Sequence, residues 1–329
     1  MRDEDIVSFK AAMEAAFEVN HFEDVNFFLG LELTWSPSGD AVCVGQRKYS
    51  HTILERFGME KTRSAATPME ERYRDKLFLD EDICEFKPRP AIGALLYLSV
   101  ISRPDLATAI RLLAQETERP TRAVEDGINR VFRYLNGTRD FGLEFKQRDE
   151  SGLVVYCDAA FSVERESHSS TGFAIFYCGN LVEWGSKKQS MVTLSSTEAE
   201  YIAMGTGVQE CIGLNMVLKD LRMEAAEILV FEDNQGAQHL AESKAVTQRS
   251  RHINTKYHWL RQKVKEHEIR IQYCPTSEMV ADHFTKPLGT IKFKYFRDEL
   301  GVRRVGVLDQ NEASNPIGQR SGDSSSIDD

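Results

Sequence analysis

The chain has 329 residues, 41% of them hydrophobic and 28% charged, and a formal net charge of −10 at pH 7. That length supports two modest domains with cores of their own, while the acidic balance excludes a protein that holds nucleic acid merely by being basic. No apolar run approaches a bilayer span and the start, Met1-Arg2-Asp3-Glu4-Asp5, is too acidic for a secretory signal, so an intracellular protein, cytoplasmic or nuclear, with no membrane partner is expected.

Residues 1 to about 20 are polar and helix-favouring, with Ala11, Ala12, Ala15, Ala16 and Phe17 as their apolar content. Phe27, Phe28, Leu29, Leu31, Leu33 and Trp35 form a strand-like run, Pro37-Ser38-Gly39-Asp40 turns it, and Ala41 to Val44 returns as a hairpin. A helix from Ser50 to Gly58, closed by glycine, follows. From Met59 to Pro90, with Pro68, Pro88 and Pro90, apolar periodicity disappears and a linker is predicted. Helical spacing resumes with Ile92, Leu95, Leu96, Leu98 and Ile101. It breaks at Ser102-Arg103-Pro104-Asp105, continues through Leu106, Ile110, Leu112 and Leu113, and returns in a third helix from Thr121 to Asn136. The six cysteines, at 43, 84, 157, 178, 211 and 274, show no close pairing and read as reduced packing thiols with no zinc motif.

The chemistry concentrates between Leu153 and Lys286. Val154, Val155 and Tyr156 make a β-rich run that stops at Asp158, and Ile228, Leu229, Val230 and Phe231 make another that stops at Asp233. Between them Ser195-Ser196-Thr197-Glu198 opens a long helix with capping-box spacing, and Glu200 follows. Local chemistry does not choose between the two glutamates, because Thr197 stands to Glu200 as Ser195 stands to Glu198. Glu200 does share a helix face with Ala203 and Gly207, small residues suited to close packing on a sheet. A fourth acid, Asp282, lies in VADHFTKPL. Acids at strand ends and in first helical turns are commonly just solvated, so spacing alone does not define a site. Acids drawn together from distant points of a chain, however, repel one another unless protons or divalent cations neutralise them. Oxygen donors with no nearby Cys or His favour Mg²⁺ or Mn²⁺, and a pair of such ions suits phosphodiester hydrolysis.

Basic residues are unevenly spread: from Ala241 to Leu300 there are twelve Lys or Arg against seven Asp or Glu. There His252, Tyr257, His258 and Trp259 interleave with Arg251, Lys256 and Arg261, a mixture suited to stacking and phosphate contact. Lys187 and Lys188 stand at the end of a predicted hairpin, and Asn234-Gln235-Gly236-Ala237 starts a helix whose first amides favour anionic groups.

YCDAAF, TGFAIFYCGNLVEWGSKKQS, LSSTEAEYIAM, EDNQGA, RHINTKYHWLR and VADHFTKPL occur in that order. Together they resemble the ribonuclease H domain of copia-type LTR retrotransposon Pol polyproteins. FFLGLELTWSPSG and QRKYSHTILERFGMEKTRSAATPM resemble the close of that family's reverse transcriptase, where palm gives way to thumb. AIGALLYLSVISRPDLATAI and INRVFRYLNGTRDFGLEF resemble its connection segment. The resemblance implies an α/β fold, a ribonuclease H-like mixed five-stranded sheet with flanking helices, preceded by a mostly helical thumb and connection segment. It divides the chain into a polymerase remnant (1–69), a linker and connection (70–150), the ribonuclease H-like domain (151–290) and a C-terminal segment (291–329); the low apolar content of QNEASNPIGQRSGDSSSIDD predicts disorder after about 307.

Residue by residue, the family's metal tetrad falls on Asp158, Glu200, Asp233 and Asp282. It implies two Mg²⁺ or Mn²⁺ ions and endonucleolytic hydrolysis of RNA in RNA–DNA hybrids, with nucleic-acid contacts from Lys187, Lys188, Asn234, Gln235, Arg251, Lys256 and Arg261. The sequence departs from the family at Ala160, Phe161 and Ser162, where acid, aromatic and glycine are usual, and at Ser167-His168, which replace a basic pair. It also has no Tyr-Val-Asp-Asp upstream of Phe27, so polymerisation by this chain alone is not expected. The alternative reading is a catalytically inactive remnant that binds nucleic acid or supports a separate reverse transcriptase chain.

Overall fold

The computed structural model describes residues 3–19, 25–148, 152–161, 168–223, 227–242 and 255–305. After the first helix, α1 (Asp3–Ala16), the apolar run at 27–35 is two strands where one was predicted. β1 (Phe27–Phe28) turns at Leu29 and Gly30, both with positive φ (50° and 83°), and pairs back antiparallel on β2 (Leu31–Trp35). Gly30 makes that reversal possible, because only glycine adopts this backbone region without a steric cost. β2 pairs with β3 (Ala41–Gly45), and α2 (Arg47–Arg56) follows.

The predicted linker contains a helix, α3 (Tyr73–Leu79), with Tyr73 and Leu77 buried and Tyr73 Oη donating to Ala123 O at 2.9 Å. Seven residues expose only one i, i+4 apolar pair, too little for periodicity to register. Two of the three prolines read as linker punctuation, Pro88 and Pro90, open α4 (Pro88–Ile101), where a missing N–H in the first turn costs nothing. α5 (Ala107–Gln115) and α6 (Arg122–Gly137) then bury Ile110, Leu113, Val131 and Leu135, and β4 (Phe141–Lys146) joins β3.

The second sheet begins with β5 (Leu153–Ala160), β6 (Ser170–Tyr177) and β7 (Asn180–Lys188), consecutive and antiparallel. β6 and β7 are joined through Cys178 and Gly179 at φ 49° and 70°, the paired positive values that tight hairpins favour. α7 (Ser196–Asp220) crosses to β8 (Ile228–Glu232), parallel to β5, and α8 (Gln235–Glu242) and α9 (Thr255–Lys265) lead to β9 (Ile269–Tyr273), parallel to β8. The order β7-β6-β5-β8-β9 places β5 at the centre. This is the ribonuclease H-like mixed sheet that the resemblance implies.

Alternation along β5 sends Val155 and Cys157 into a core with α7, α8 and α9, and Tyr156 into a larger core that runs on through α4, α5 and α6. α7 lies very close to the sheet. A Cβ on Gly207 would stand 2.5 Å from Cys157 Sγ, so glycine is required there. α10 (Thr290–Glu299) adds Phe293 and Phe296 to the larger core, and β10 (Val302–Arg304) pairs with β4, completing a first sheet of order β1-β2-β3-β4-β10. The segment beyond 307 lies outside the described residues.

Candidate metal centre

The parallel register of β5 and β8 ends at Tyr156 and Phe231, so Asp158 and Asp233 emerge side by side at the carboxyl ends of adjacent strands. Open α/β sheets form their functional crevices at such ends. α7 supplies the third acid. Its N-cap Ser195 accepts from Glu198 N at 3.2 Å, and Glu198 reaches back to accept from Leu194 N at 2.8 Å. That reciprocal cap engages Glu198 at the start of the helix. Glu200, two residues further along the helix, brings a carboxylate oxygen to a position where Asp158, Glu200 and Asp233 each offer a ligand atom, all within 4.8 Å of one another.

Asp282 sits in a short 3-10 turn (Val280–Phe284) laid across β6 and shares a hydrogen bond with Asp158. Gly172, paired with Asp158, makes this approach possible: a Cβ there would meet Ala281 O and Thr285 Cγ2 at 2.7 Å. Asp282 differs from the other three acids in its partners. Lys286 Nζ lies 2.5 Å from one of its oxygens and Lys292 Nζ 2.5 Å from the other.

A fifth acid escaped the sequence reading. Glu232 is completely buried, and its Oε1 accepts from Asn234 N at 3.0 Å. The signal was present in the alternation of β8: Val230 faces the α7 core, so Glu232, two residues on, points the same way. Thr285, also unremarked, donates to Asp158 Oδ2 at 2.5 Å.

The electrostatics follow from this crowding. Burial, and then the charge of Asp282, push Asp158 up to about 7. Burial, and then Asp158, push Glu200 up to about 10. Burial carries Glu232 well above the carboxylate range. For Asp282 burial acts in the same direction, but Lys286 and Lys292 outweigh it and hold its carboxyl below its ordinary value. The donor set fits a hard divalent cation: all oxygens, with Glu200 Oε2 and Glu232 Oε2 buried and lacking a hydrogen-bond partner.

The basic and polar residues singled out from sequence divide. Lys187 and Lys188 are exposed at the end of β7, Lys187 pairing with Glu210 at 2.6 Å, and Gln235 is exposed in the first turn of α8. Asn234 accepts from Ala237 N at 3.0 Å and so caps α8. Arg261 donates to Leu240 O at 2.8 Å and bonds Tyr201, tying α9 to α8 and α7. Arg251 lies outside the described residues, as does the side chain of Lys256 on α9.

A mixed sheet in this strand order, with acids gathered at its centre, defines a ribonuclease H-like protein. No family model matches the chain. Over 301 residues, 89% of its length, it is 33% identical to the retrovirus-related Pol polyprotein from transposon RE2 of Arabidopsis thaliana, 20% of which is covered. Over 127 residues, 38% of its length, it is 42% identical to the secreted RxLR effector protein 161 of Plasmopara viticola, covering 89% of that protein. Among solved structures, the N-terminal ribonuclease H domain of rv2228c from Mycobacterium tuberculosis aligns over 45% of this chain and 98% of that chain, at 12% identity and a TM-score of 0.32. The chain belongs to the retrovirus-related Pol polyproteins of copia-type transposons. It spans about a fifth of the length of the Pol polyproteins it matches. No helix among the described residues is long and apolar enough to cross a membrane.

Proposed function

We propose that this chain is a metal-dependent ribonuclease that cleaves the RNA strand of RNA–DNA hybrids endonucleolytically. The observation that carries the reading is the convergence of Asp158, Glu200 and Asp233, from two strand ends and a helix, with buried carboxylate oxygen left unpartnered. Asp158 and Asp233 would hold both of two Mg²⁺ or Mn²⁺ ions, with Glu200 on one and Asp282 on the other. When bound, such ions activate water and stabilise the leaving oxygen of a phosphodiester. The protein's own groups prepare for this. Thr285 orients Asp158 by donating to its Oδ2, and Lys286 and Lys292 keep Asp282 ionised. Lys187, Lys188 and Gln235 are exposed and would contact the nucleic-acid backbone, while selection for RNA would rest on its 2′-hydroxyls in the minor groove. Residues 1–150 correspond in this reading to the end of the polymerase and its connection, and 151–290 to the nuclease.

The test is incubation of the purified chain with a labelled RNA–DNA hybrid and Mg²⁺. RNA cut internally in the hybrid, intact single-stranded RNA and DNA duplex, and loss of cleavage with chelator are expected. A second reading, the inactive remnant that only binds nucleic acid or a polymerase chain, is favoured by the two lysines that occupy both oxygens of Asp282. Hybrid binding without cleavage in either Mg²⁺ or Mn²⁺ selects it.

A further inference from the structure

The four residues that follow Asp282 carry two of the groups that meet the acids. Thr285 reaches Asp158 and Lys286 reaches Asp282 itself, at 2.5 Å in each case. The backbone of this turn is fastened at three successive carbonyls, from α5 and from the edge strand β7. Thr108 Oγ1, on α5, donates to His283 O at 2.6 Å. Ser186 Oγ, on β7, donates to Phe284 O at 2.5 Å and in turn accepts from Arg111 Nε, on α5, at 2.7 Å. Arg111 Nη2 donates to Thr285 O at 3.3 Å. Thr108 and Arg111 are three residues apart and so share the face of α5 that meets this turn. The packing of α5 is supplied by other residues, Ile110, Leu112 and Leu113, which are buried in the larger core.

Arg111 is costly for a residue that merely fills space. Burial pushes its guanidinium down to about 10, and its hydrogen bonds go to a hydroxyl and a carbonyl. Arg111 is partly buried, and a charge drawn partly out of water and set against neutral acceptors recovers less than one set against a carboxylate. Its geometric effect is specific: it holds Ser186 and the Thr285 carbonyl, and through them the segment from which Thr285 and Lys286 reach the acids.

Resting on the proposed nuclease reading, we infer that Thr108 and Arg111 are positioning residues for the metal centre, through which α5 sets the spacing of Asp282 and Asp158. Groups behind the ligands of a metal site typically alter affinity or activity about 10- to 100-fold when removed. The experiment uses the full chain with Thr108→Val, Thr108→Ser and Arg111→Met. For each, Mg²⁺ affinity is measured by calorimetry, and kcat and KM for the hybrid well below the melting temperature. The expected result for Thr108→Val and Arg111→Met is a weakening of Mg²⁺ binding and a fall in kcat, each about tenfold, with KM unchanged. Thr108→Ser, which keeps the hydroxyl, restores both. A purely structural role would lower the melting temperature and leave Mg²⁺ affinity and kcat of the folded protein where they were, and that result overturns the inference while the nuclease reading stands. An unmodified chain that neither binds Mg²⁺ nor cleaves the hybrid fails at the earlier step and takes both readings with it.

Discussion

Arg103 and Asp105 are as deeply buried as Asp158 and Glu232, with relative exposures of 1%, 2%, 3% and 0%, but the two groups of charge are handled in opposite ways. Around Arg103 the account closes internally. The guanidinium donates to both oxygens of Asp105 at 2.9 and 2.7 Å and to Thr138 O and Oγ1 at 2.8 and 2.7 Å, and Tyr134 Oη adds a bond to Asp105 at 2.7 Å. Burial would raise Asp105, yet the charge of Arg103 outweighs it and the carboxyl stays below its ordinary value. At the end of β5 and β8, burial acts on Asp158, Glu200 and Glu232 without that compensation, and all three are pushed upward. Charge that serves the fold is neutralised within the fold. Charge left uncompensated marks a place where something from outside supplies the balance.

The largest effect that tests this contrast is on the structural side. Arg103→Met leaves Asp105 buried without its partner, and breaking such a pair costs about 3–5 kcal/mol. Denaturant titration should show that loss, while the protein that remains folded keeps its Mg²⁺ affinity. Equal loss of metal binding and stability would mean that the two groups are not independent.

Asp158→Asn should do the reverse. Removing one acid from a repelling cluster relieves it, so metal-free stability should hold or rise, whereas hybrid cleavage should fall on the order of 10²-fold or more. Hybrid affinity should survive, because cationic contacts carry it. Unchanged cleavage would remove Asp158 from the chemistry.

The third prediction concerns pH. Asp158 rises from 3.8 to about 7 on folding without metal, so the folded state holds a proton that the unfolded chain has released. The stability this contributes is complete below the unfolded value and is lost as pH rises through the folded one. Thermal melts without divalent ions should therefore show stability falling as pH rises from about 4 to about 7, and Mg²⁺ should raise the melting temperature more at about pH 8 than at about pH 5. A Mg²⁺ effect of equal size at both values would show that the acids are not what the ion meets. The smallest effect is expected from Lys187→Ala with Lys188→Ala: a several-fold weaker hybrid complex with a salt slope lower by about 1 to 2 and unchanged Mg²⁺ affinity. Loss of Mg²⁺ binding in this variant would contradict a role for these lysines confined to the nucleic-acid backbone.

Sequence conveyed the centre of the site better than its surroundings, for identifiable reasons. Asp158 and Asp233 were legible because each ends a β-rich run, and Glu198 and Glu200 because a capping signal announces the helix. Spacing alone did not separate the two glutamates, and the bond from Leu194 N that engages Glu198 is a contact that spacing does not encode. Lys286 and Lys292 look like ordinary solvated cations until the 3-10 turn and α10 bring them to Asp282. Arg261, read as a phosphate contact within a basic stripe, spends its Nε on Leu240 O, because a basic residue on an amphipathic helix serves packing or solvent equally well. Outside the mixed sheet, α3 escaped notice because its two buried residues make no period, and β10 because three residues are too few to read as a strand.

β10 carries a further consequence. Since it pairs with β4 while β5 to β9 form their own sheet, the mixed sheet is inserted between two neighbouring strands of the other one. A ribosome emitting this chain delivers the whole nuclease-like unit before the last strand of the first sheet emerges. Until then β4 has a bare edge, the kind of surface that recruits foreign strands. Cutting the chain between β9 and α10 recreates that edge permanently, so a fragment trimmed to the mixed sheet leaves its former neighbour prone to aggregation.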